Sequence, residues 1–501
     1  MKFPYRFRNL VLTLAIPALA ACTLGPNYVR PEAPVPVAFK EVAGWKIAQP
    51  GEGRLDEAWW QLFNDPDLTA LEEQVVISNQ NLVAAEAQVR QARALVQEQR
   101  AGYFPTASVG ASVTRSQRAV TSSAVSGNTQ TSTAYSLPFD LSWEADIWGK
   151  VRRGVEGASD RYQASEADLA AARLSAQAEL AQDYLLLRVQ DAQQELFDAT
   201  VASLQKAYDL TRNRYEAGVV AKSDLLQADT QLKTTRAQAI DLGIQRAQLE
   251  HAIALLIGKP ASSFSLPPRA YVPVFPQIPT GLPSQLLERR PDIAAAERRM
   301  AAANADIGVA KAAYYPSVSL SASAGFQAAT LANWLTWPSR FWALGPAISQ
   351  TLFDGGLRRA QNEQVRAAYD LTVATYRQTV LTGFQEVEDN LAALRILETE
   401  AKAQEDAVHS SAETLAVVLN QYRAGVISYI NVTAAQATEL ANRRSAVGIL
   451  GRRLTASVLL IKALGGGWDA ASLEGTAGAA SKLDYGAAPP PPSAAQVPAT
   501  Q

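Results

Sequence analysis

The sequence predicts an α+β membrane protein. Each chain gives four strands to an oligomeric β-barrel, the barrel is continuous with a long α-helical barrel, and the whole carries an internal two-fold structural repeat. Three observations predict it: two helical rods too long for a globule, four segments of two-residue alternation, and an order of elements that occurs twice.

Lys150 to Ala217 is dense in Ala, Leu, Gln, Glu and Arg, and from Ala158 onward it holds neither glycine nor proline. Such side chains lose little freedom in a helix. About 60 residues of helix run roughly 90 Å, while a compact globule of about 500 residues is roughly 60 Å across. Leu357 to Ala424 is a second such stretch, broken only by Gly383.

Composition narrows the function. The chain is 48% hydrophobic and 19% charged over 501 residues, which fits neither disorder nor a bundle of membrane helices. A formal net charge of −2 without a basic patch argues against nucleic acid as a partner. One cysteine, Cys22, allows no disulfide framework. The two histidines, His251 and His409, have no second ligand at helical spacing, so no metal is expected. Nothing resembles a nucleophile–base arrangement or a phosphate loop; no enzyme and no cofactor are expected.

The N-terminus reads as an address. Lys2, Arg6 and Arg8 precede a short apolar run, Leu10 to Ala21, too short to span a membrane. It ends in Leu19-Ala20-Ala21-Cys22, which resembles a bacterial lipobox: residues 1–21 are a signal peptide, and Cys22 then carries diacylglycerol and an N-acyl chain. Thr23 follows where, by analogy, an aspartate would retain a lipoprotein in the inner membrane. The expected location is the cell outer membrane, lipid-anchored and extending into the periplasm, since several acyl chains anchor stably. Residues 22–66 are a proline-rich extended arm and part of an equatorial belt.

The repeat follows. Ala101-Gly-Tyr-Phe-Pro-Thr-Ala-Ser-Val returns as Ala312-Ala-Tyr-Tyr-Pro-Ser-Val-Ser-Leu, and Arg214-Tyr-Glu-Ala-Gly-Val-Val as Gln421-Tyr-Arg-Ala-Gly-Val-Ile. Repeat 1 spans 67–258 with strands in 105–147; repeat 2 spans 284–464 with strands in 316–354. Each reads helix, aromatic-Pro junction, two strands, long helix, Gly turn, return helix. Residues 259–283 and 465–486 complete the belt, and 487–501, with its Pro489–Pro492 run, reads as a disordered tail.

Thr106–Ser116, Tyr135–Ile147 and Ser317–Phe326 alternate without a miss; Trp342–Leu352 is interrupted by Pro346 and Gln350. Strands of about 11 residues tilted near 40° cover roughly 25–28 Å, the height of an outer-membrane band. Aromatics gather at both ends, Tyr103, Phe104, Trp148, Tyr314, Tyr315 and Phe353 at one and Trp334, Trp337 and Phe341 at the other. Four strands cannot close a barrel, so the chain must oligomerise, to eight strands as a dimer or twelve as a trimer. Flanking helices are expected at 67–100, 284–313 (kinked or restarted at Pro291), 224–257 and 431–464. Gly218 and Gly425 are C-cap glycines of hairpin tips at 217–223 and 424–430.

Taken together, these residues make the chain resemble the TolC-type outer membrane factors, in particular the lipoprotein branch (NodT/OprM-like) that serves RND multidrug efflux pumps. The resemblance rests on Gly25-Pro-Asn-Tyr-Val-Arg-Pro31, Leu287-Glu-Arg-Arg-Pro-Asp-Ile293, Tyr315-Pro-Ser317, Leu352-Phe-Asp-Gly-Gly356 and Lys462-Ala-Leu-Gly-Gly-Gly-Trp468. It implies a homotrimer in outer membrane lipid, a passive duct for small molecules, a periplasmic adaptor (membrane fusion protein) and an inner-membrane RND transporter. The adaptor would meet the tips at Gly218, Val219, Val220, Ser223, Gly425, Val426, Ile427 and Ser428. The family's closed tip pairs a tyrosine with an aspartate at positions held here by Tyr422 and Asp224. Where TolC itself rings its aperture with aspartates, this chain has Asn431 and Ala434, and Ile427 stands in place of an arginine, so a neutral constriction is expected near Ile430, Asn431 and Ala434. The alternatives are the exit channel of a type I protein secretion system and a non-conducting trimeric scaffold or adhesin.

Overall fold

The computed structural model describes residues 23–41, 58–119, 129–271, 273–276, 278 and 285–473. Cys22, the leader 1–21, the tail 487–501 and much of the first strand loop lie outside the described residues.

The first half of the chain opens with α1 (Pro66–Ser78) and α2 (Gln80–Ala101). One helix was expected here; Asn79 divides it. Its side-chain oxygen accepts from Asn81 N and Leu82 N at 2.9 and 3.2 Å, capping α2, while its amide donates to Leu256 O at 2.8 Å. An Asn so placed offers the backbone a better partner than helix continuation. Asp65 caps α1 in the same way, through Asp67 N and Leu68 N.

The sheet comprises β1 (Thr106–Val109), β2 (Ser112–Ala119), β3 (Thr129–Glu144), β4 (Ser317–Ala328) and β5 (Arg340–Ser349). It is antiparallel, with β1 and β2 in line on one side of β3, and β4 then β5 on the other. The unbroken strand expected from Thr106 is interrupted at Gly110–Ala111. Gly110 sits opposite Pro138: its N–H reaches Pro138 O at 3.0 Å, but proline has no N–H to return. The register stays the same on both sides of the gap. On the other flank of Pro138, Gly325 admits β4, since a Cβ there would lie 2.1 Å from Leu137 O.

Alternation carries across the strands. Ala107, Leu141, Ala322 and Leu344 form one row, and Val109, Phe139, Ala324 and Trp342 the next. This face is bare in the single chain, with Trp342 81% and Ile348 74% exposed. Beyond Val113 and Tyr135 the same face turns polar at Arg115, Thr133, Gln117 and Thr131, so the apolar band has an edge. Aromatics mark both ends: Trp148 packs on Tyr315 at 4.9 Å, and Tyr135 meets Trp334 at 5.8 Å. No helix among the described residues is long and apolar enough to cross a membrane.

From the sheet descend α3 (Lys150–Glu216) and, after the second hairpin, α7 (Leu357–Arg423), each of 67 residues, or about 100 Å. Their starts are built alike. Asp146 accepts from Val151 N and Arg152 N, and Asp354 from Gly356 N and Arg358 N. The return helices, α4 (Lys222–Leu256) and α8 (Tyr429–Ala463), have 35 residues each. The entry to the second half is split, as Pro291 predicts, into α5 (Leu286–Arg289) and α6 (Pro291–Ala312).

The main core lies where the helices cross, around Trp59, Phe63, Leu68, Tyr184, Tyr376 and Leu454. The belt is clasped to it by charge: Arg188 Nη1 donates to Asp191 and to Pro267 O, and Arg246 to Asp191 and Leu266 O. Gly383 does not break α7. A Cβ there would meet the buried Arg290 guanidinium at 3.3 Å, and that side chain ties Asp292, Glu386 and Ala463 O together.

The N-terminal arm starts against α3 and then runs along α6 and α7. Arg153 holds Leu24 O and Asn27, Asn304 holds Pro26 O, Arg30 donates to Tyr376 Oη, and the N–H groups of Lys40 and Glu41 bind Glu388 at 2.6 and 3.0 Å. At Gly25, φ is +103° and a Cβ would lie 2.6 Å from Gly308 Cα, so arm and helix meet backbone to backbone.

Candidate functional site

The two tips are the ends of α3 and α7 farthest from the sheet, and both close by the same hydrogen bonds. Gly218 N donates to Tyr215 O and Val219 N to Arg214 O; Gly425 N donates to Tyr422 O and Val426 N to Gln421 O. With φ of +73° and +76°, the two glycines make Schellman motifs. A Cβ would touch nothing within 4 Å at either, so backbone conformation alone requires glycine.

The turn residues are outward. Val219 is 62% and Val426 74% exposed; Gly218, Ser223, Gly425 and Ser428 are exposed as well, and Val220 and Ile427 are half-buried. Ile430, Asn431 and Ala434 lie exposed along the first turns of α8. Nothing acidic shares that stripe.

Tyr422 behaves differently from expectation. It is 4% exposed, its ring packs on Tyr429 at 5.2 Å, and its hydroxyl lies 3.4 Å from Thr211 Oγ1 on α3. Arg214 covers the ring at 5.1 Å and donates to Tyr422 O at 3.1 Å. The bond expected between Tyr422 and Asp224 is not made within the chain. Tyr422 is turned inward against α3, whereas Asp224 sits half-exposed in the first turn of α4, where a carboxylate suits the helix dipole.

Sequence reasoning passed over Thr211, Arg214 and Tyr429. Arg214 stands in the repeated tip motif, and a cation in a helix's last turn is the signal that could have drawn attention to it. Tyr429 is buried, its hydroxyl has no partner among the described residues, and burial pushes its phenol up to about 12. Tyr422, Tyr429, Val432 and Ala228 form a small separate core that holds the two hairpins together. No group of three or more potential metal ligands occurs among the described residues.

Comparison with known proteins agrees with this architecture. Residues 71–259 and 282–466 match the family model described as outer membrane efflux protein. The chain is similar to the toluene efflux pump outer membrane protein TtgC of Pseudomonas putida, 32% identical over 464 residues that cover 91% of this chain and 96% of that protein. It is 33% identical over 455 residues to the outer membrane protein OprJ of Pseudomonas aeruginosa, covering 90% and 94%. The solved outer-membrane channel OprN superposes with a TM-score of 0.84 at 31% identity, covering 89% of this chain and all of that one. Alternating strands, rods of helix and matched tips are thus the form of a known class, and the chain belongs to the outer membrane efflux protein family.

Proposed function

We propose that this chain is the passive exit duct of a tripartite efflux system. An inner-membrane RND transporter drives drugs and other small molecules into it through a periplasmic adaptor. Three copies give a twelve-stranded barrel and a twelve-helix tube, each chain contributing two matched repeats. Acylated Cys22 anchors the assembly in the outer membrane, and the protein performs no chemistry on its cargo. The tips meet the adaptor and open to admit substrate past Ile430, Asn431 and Ala434.

The observation that carries this reading is the short passage from sheet to rod. Only five residues separate β3, with its bare apolar face, from the 67-residue α3. A lipid-facing wall therefore continues into a helical one. The sheet's outer strands are unpaired along one side each, among the described residues, and edges of that kind in lipid need other copies to pair them. The equal lengths of α3 and α7, and of α4 and α8, support the two-fold repeat. Relatives named for toluene, solvent and antibiotic efflux support small cargo.

In-cell photo-crosslinking from Val219 and Val426 tests it. Capture of an adaptor that works with an RND pump is expected. An adaptor paired with an ATP-driven exporter would shift the reading to protein secretion, and capture of neither would overturn the duct.

A further inference from the structure

At the end of the sheet away from the rods, charge is of one sign. From 106 to 139 and from 317 to 353 the chain has no aspartate or glutamate. Arg115 stands opposite Thr133, and Arg340 opposite Phe326. Both lie on the bare apolar face. Along β1 and β2 that face reads Ala107, Val109 and Val113, then Arg115; along β5 it reads Leu344 and Trp342, then Arg340. Each arginine is thus the first charge beyond an apolar run. Both are exposed, and neither has an ion pair among the described residues.

Register puts the two arginines at one height. Arg340 aligns through Phe326 with Leu137 of β3, four residues nearer the rods than Thr133. Four residues are about 13 Å along a strand, and the three steps from β2 to β5 are about 14 Å across. That slope is a tilt of roughly 43°, within the range of a membrane barrel. The rod-side ends step the same way: β1 starts opposite Ser142, while β5 ends opposite Ser317, beyond the partner of Glu144. Two parallel slanted edges are what a level band looks like across tilted strands. The arginines therefore mark its outward rim. Arg340 is also held in place. Its guanidinium lies over the Trp337 ring and its Nε donates to Trp337 O at 2.9 Å, leaving both Nη groups without a partner among the described residues. A planar fork so fixed suits phosphate, which it meets with two parallel bonds.

We propose that Arg115 and Arg340, with Trp337, bind the phosphate of an anionic lipid headgroup in the outward leaflet of the outer membrane. The acyl chains of that lipid lie along the apolar face below, and basic groups beside an apolar band attract such headgroups. The site rests on the membrane-barrel part of the reading above. Arg115 and Arg340 occupy opposite edges of the sheet, so closure by copies brings Arg340 of one chain beside Arg115 of the next. Like charges on adjacent strands repel, and a phosphate between them removes that cost. Lipid held there fixes the height of the barrel from its outward side.

The test uses the purified, delipidated full-length oligomer, immobilised for surface plasmon resonance. Diphosphoryl lipid A in mixed micelles is the probe, and zwitterionic phosphatidylethanolamine the counterpart. Lipid A is expected to bind saturably and to weaken about 10-fold in Arg115→Gln/Arg340→Gln, with phosphatidylethanolamine unchanged. Lys150→Gln, at the rod end of the sheet, should leave lipid A binding as it was. Lipid A binding that is absent, equal in the double variant, or weakened as much by Lys150→Gln overturns the site. Conductance of the same preparation in planar bilayers separates the failures: a conducting oligomer whose lipid A binding ignores the arginines keeps the duct and removes the site, and one that neither conducts nor binds removes both. Should the double variant not assemble, Arg115→Gln decides alone, since Arg115 has no partner to lose among the described residues; about 3-fold weakening is expected, and unchanged affinity overturns the site.

Discussion

Glu72 is the residue most out of keeping with its surroundings. It lies on α1 fully buried, and neither carboxylate oxygen has a partner among the described residues. Burial holds its pKa well above the ordinary 4.5. Below that value both folded and unfolded chains are protonated and nothing is lost. As pH rises past it, the unfolded chain releases the proton while the folded chain keeps it, so stability falls with pH. Glu72→Gln should therefore raise stability at neutral pH by about 1–3 kcal/mol, with an advantage that grows from pH 4 to pH 8. Urea unfolding across that range checks it; a pH-independent difference would contradict the assignment. The helical stretch at 67–100 was legible in sequence. That Glu72 points into its core was not, because its apolar neighbours Leu68, Leu71 and Val75 define a stripe on which a charged residue gives no warning.

At the scale of elements, the tips follow from one backbone requirement used twice. Valine at a φ near +76° costs roughly 1–2 kcal/mol, and at Gly425 no clash adds to it. Gly425→Val should loosen the last turn of α7, seen as faster hydrogen exchange at the amides of Ala424, Gly425 and Val426, while the midpoint of global unfolding stays fixed. Equal loss in both would mean the tip core is part of the main one. The glycines were readable because positive φ leaves a mark in sequence. The partner of Tyr422 was not, since the choice between Thr211 and Asp224 depends on which way a ring turns once α3 and α7 pack. The break at Gly110 was likewise hidden: its cause, Pro138, is on another strand.

For the whole molecule, the rods and the alternating strands announced the architecture, because length and period survive without knowledge of packing. The number of copies did not follow from these, as closure depends on strand tilt and on the neighbours' edges. Electrostatics at the aperture make a separable prediction. With Asn431 and Ala434 on the exposed stripe of α8 in place of carboxylates, millimolar trivalent cations such as hexamminecobalt should leave single-channel conductance nearly unchanged when added from the tip side. Ala434→Asp should introduce block, about 1–2 kcal/mol for the ring of charges by analogy with exposed ion pairs. Strong block of the unaltered channel would remove the neutral aperture.

The arm's route has a consequence in time. Its first described residues are held by Arg153 and Asn304, and its last by Glu388 and Arg395. Lys40 and Glu41, at the arm's far end, thus find their seats on a helix made more than 300 positions later. Pairings so distant in sequence form slowly, because the intervening loop must first be ordered. That end of the strap is accordingly expected to fasten late, after α7 has packed. Docking of the arm would then register that α7 is in place.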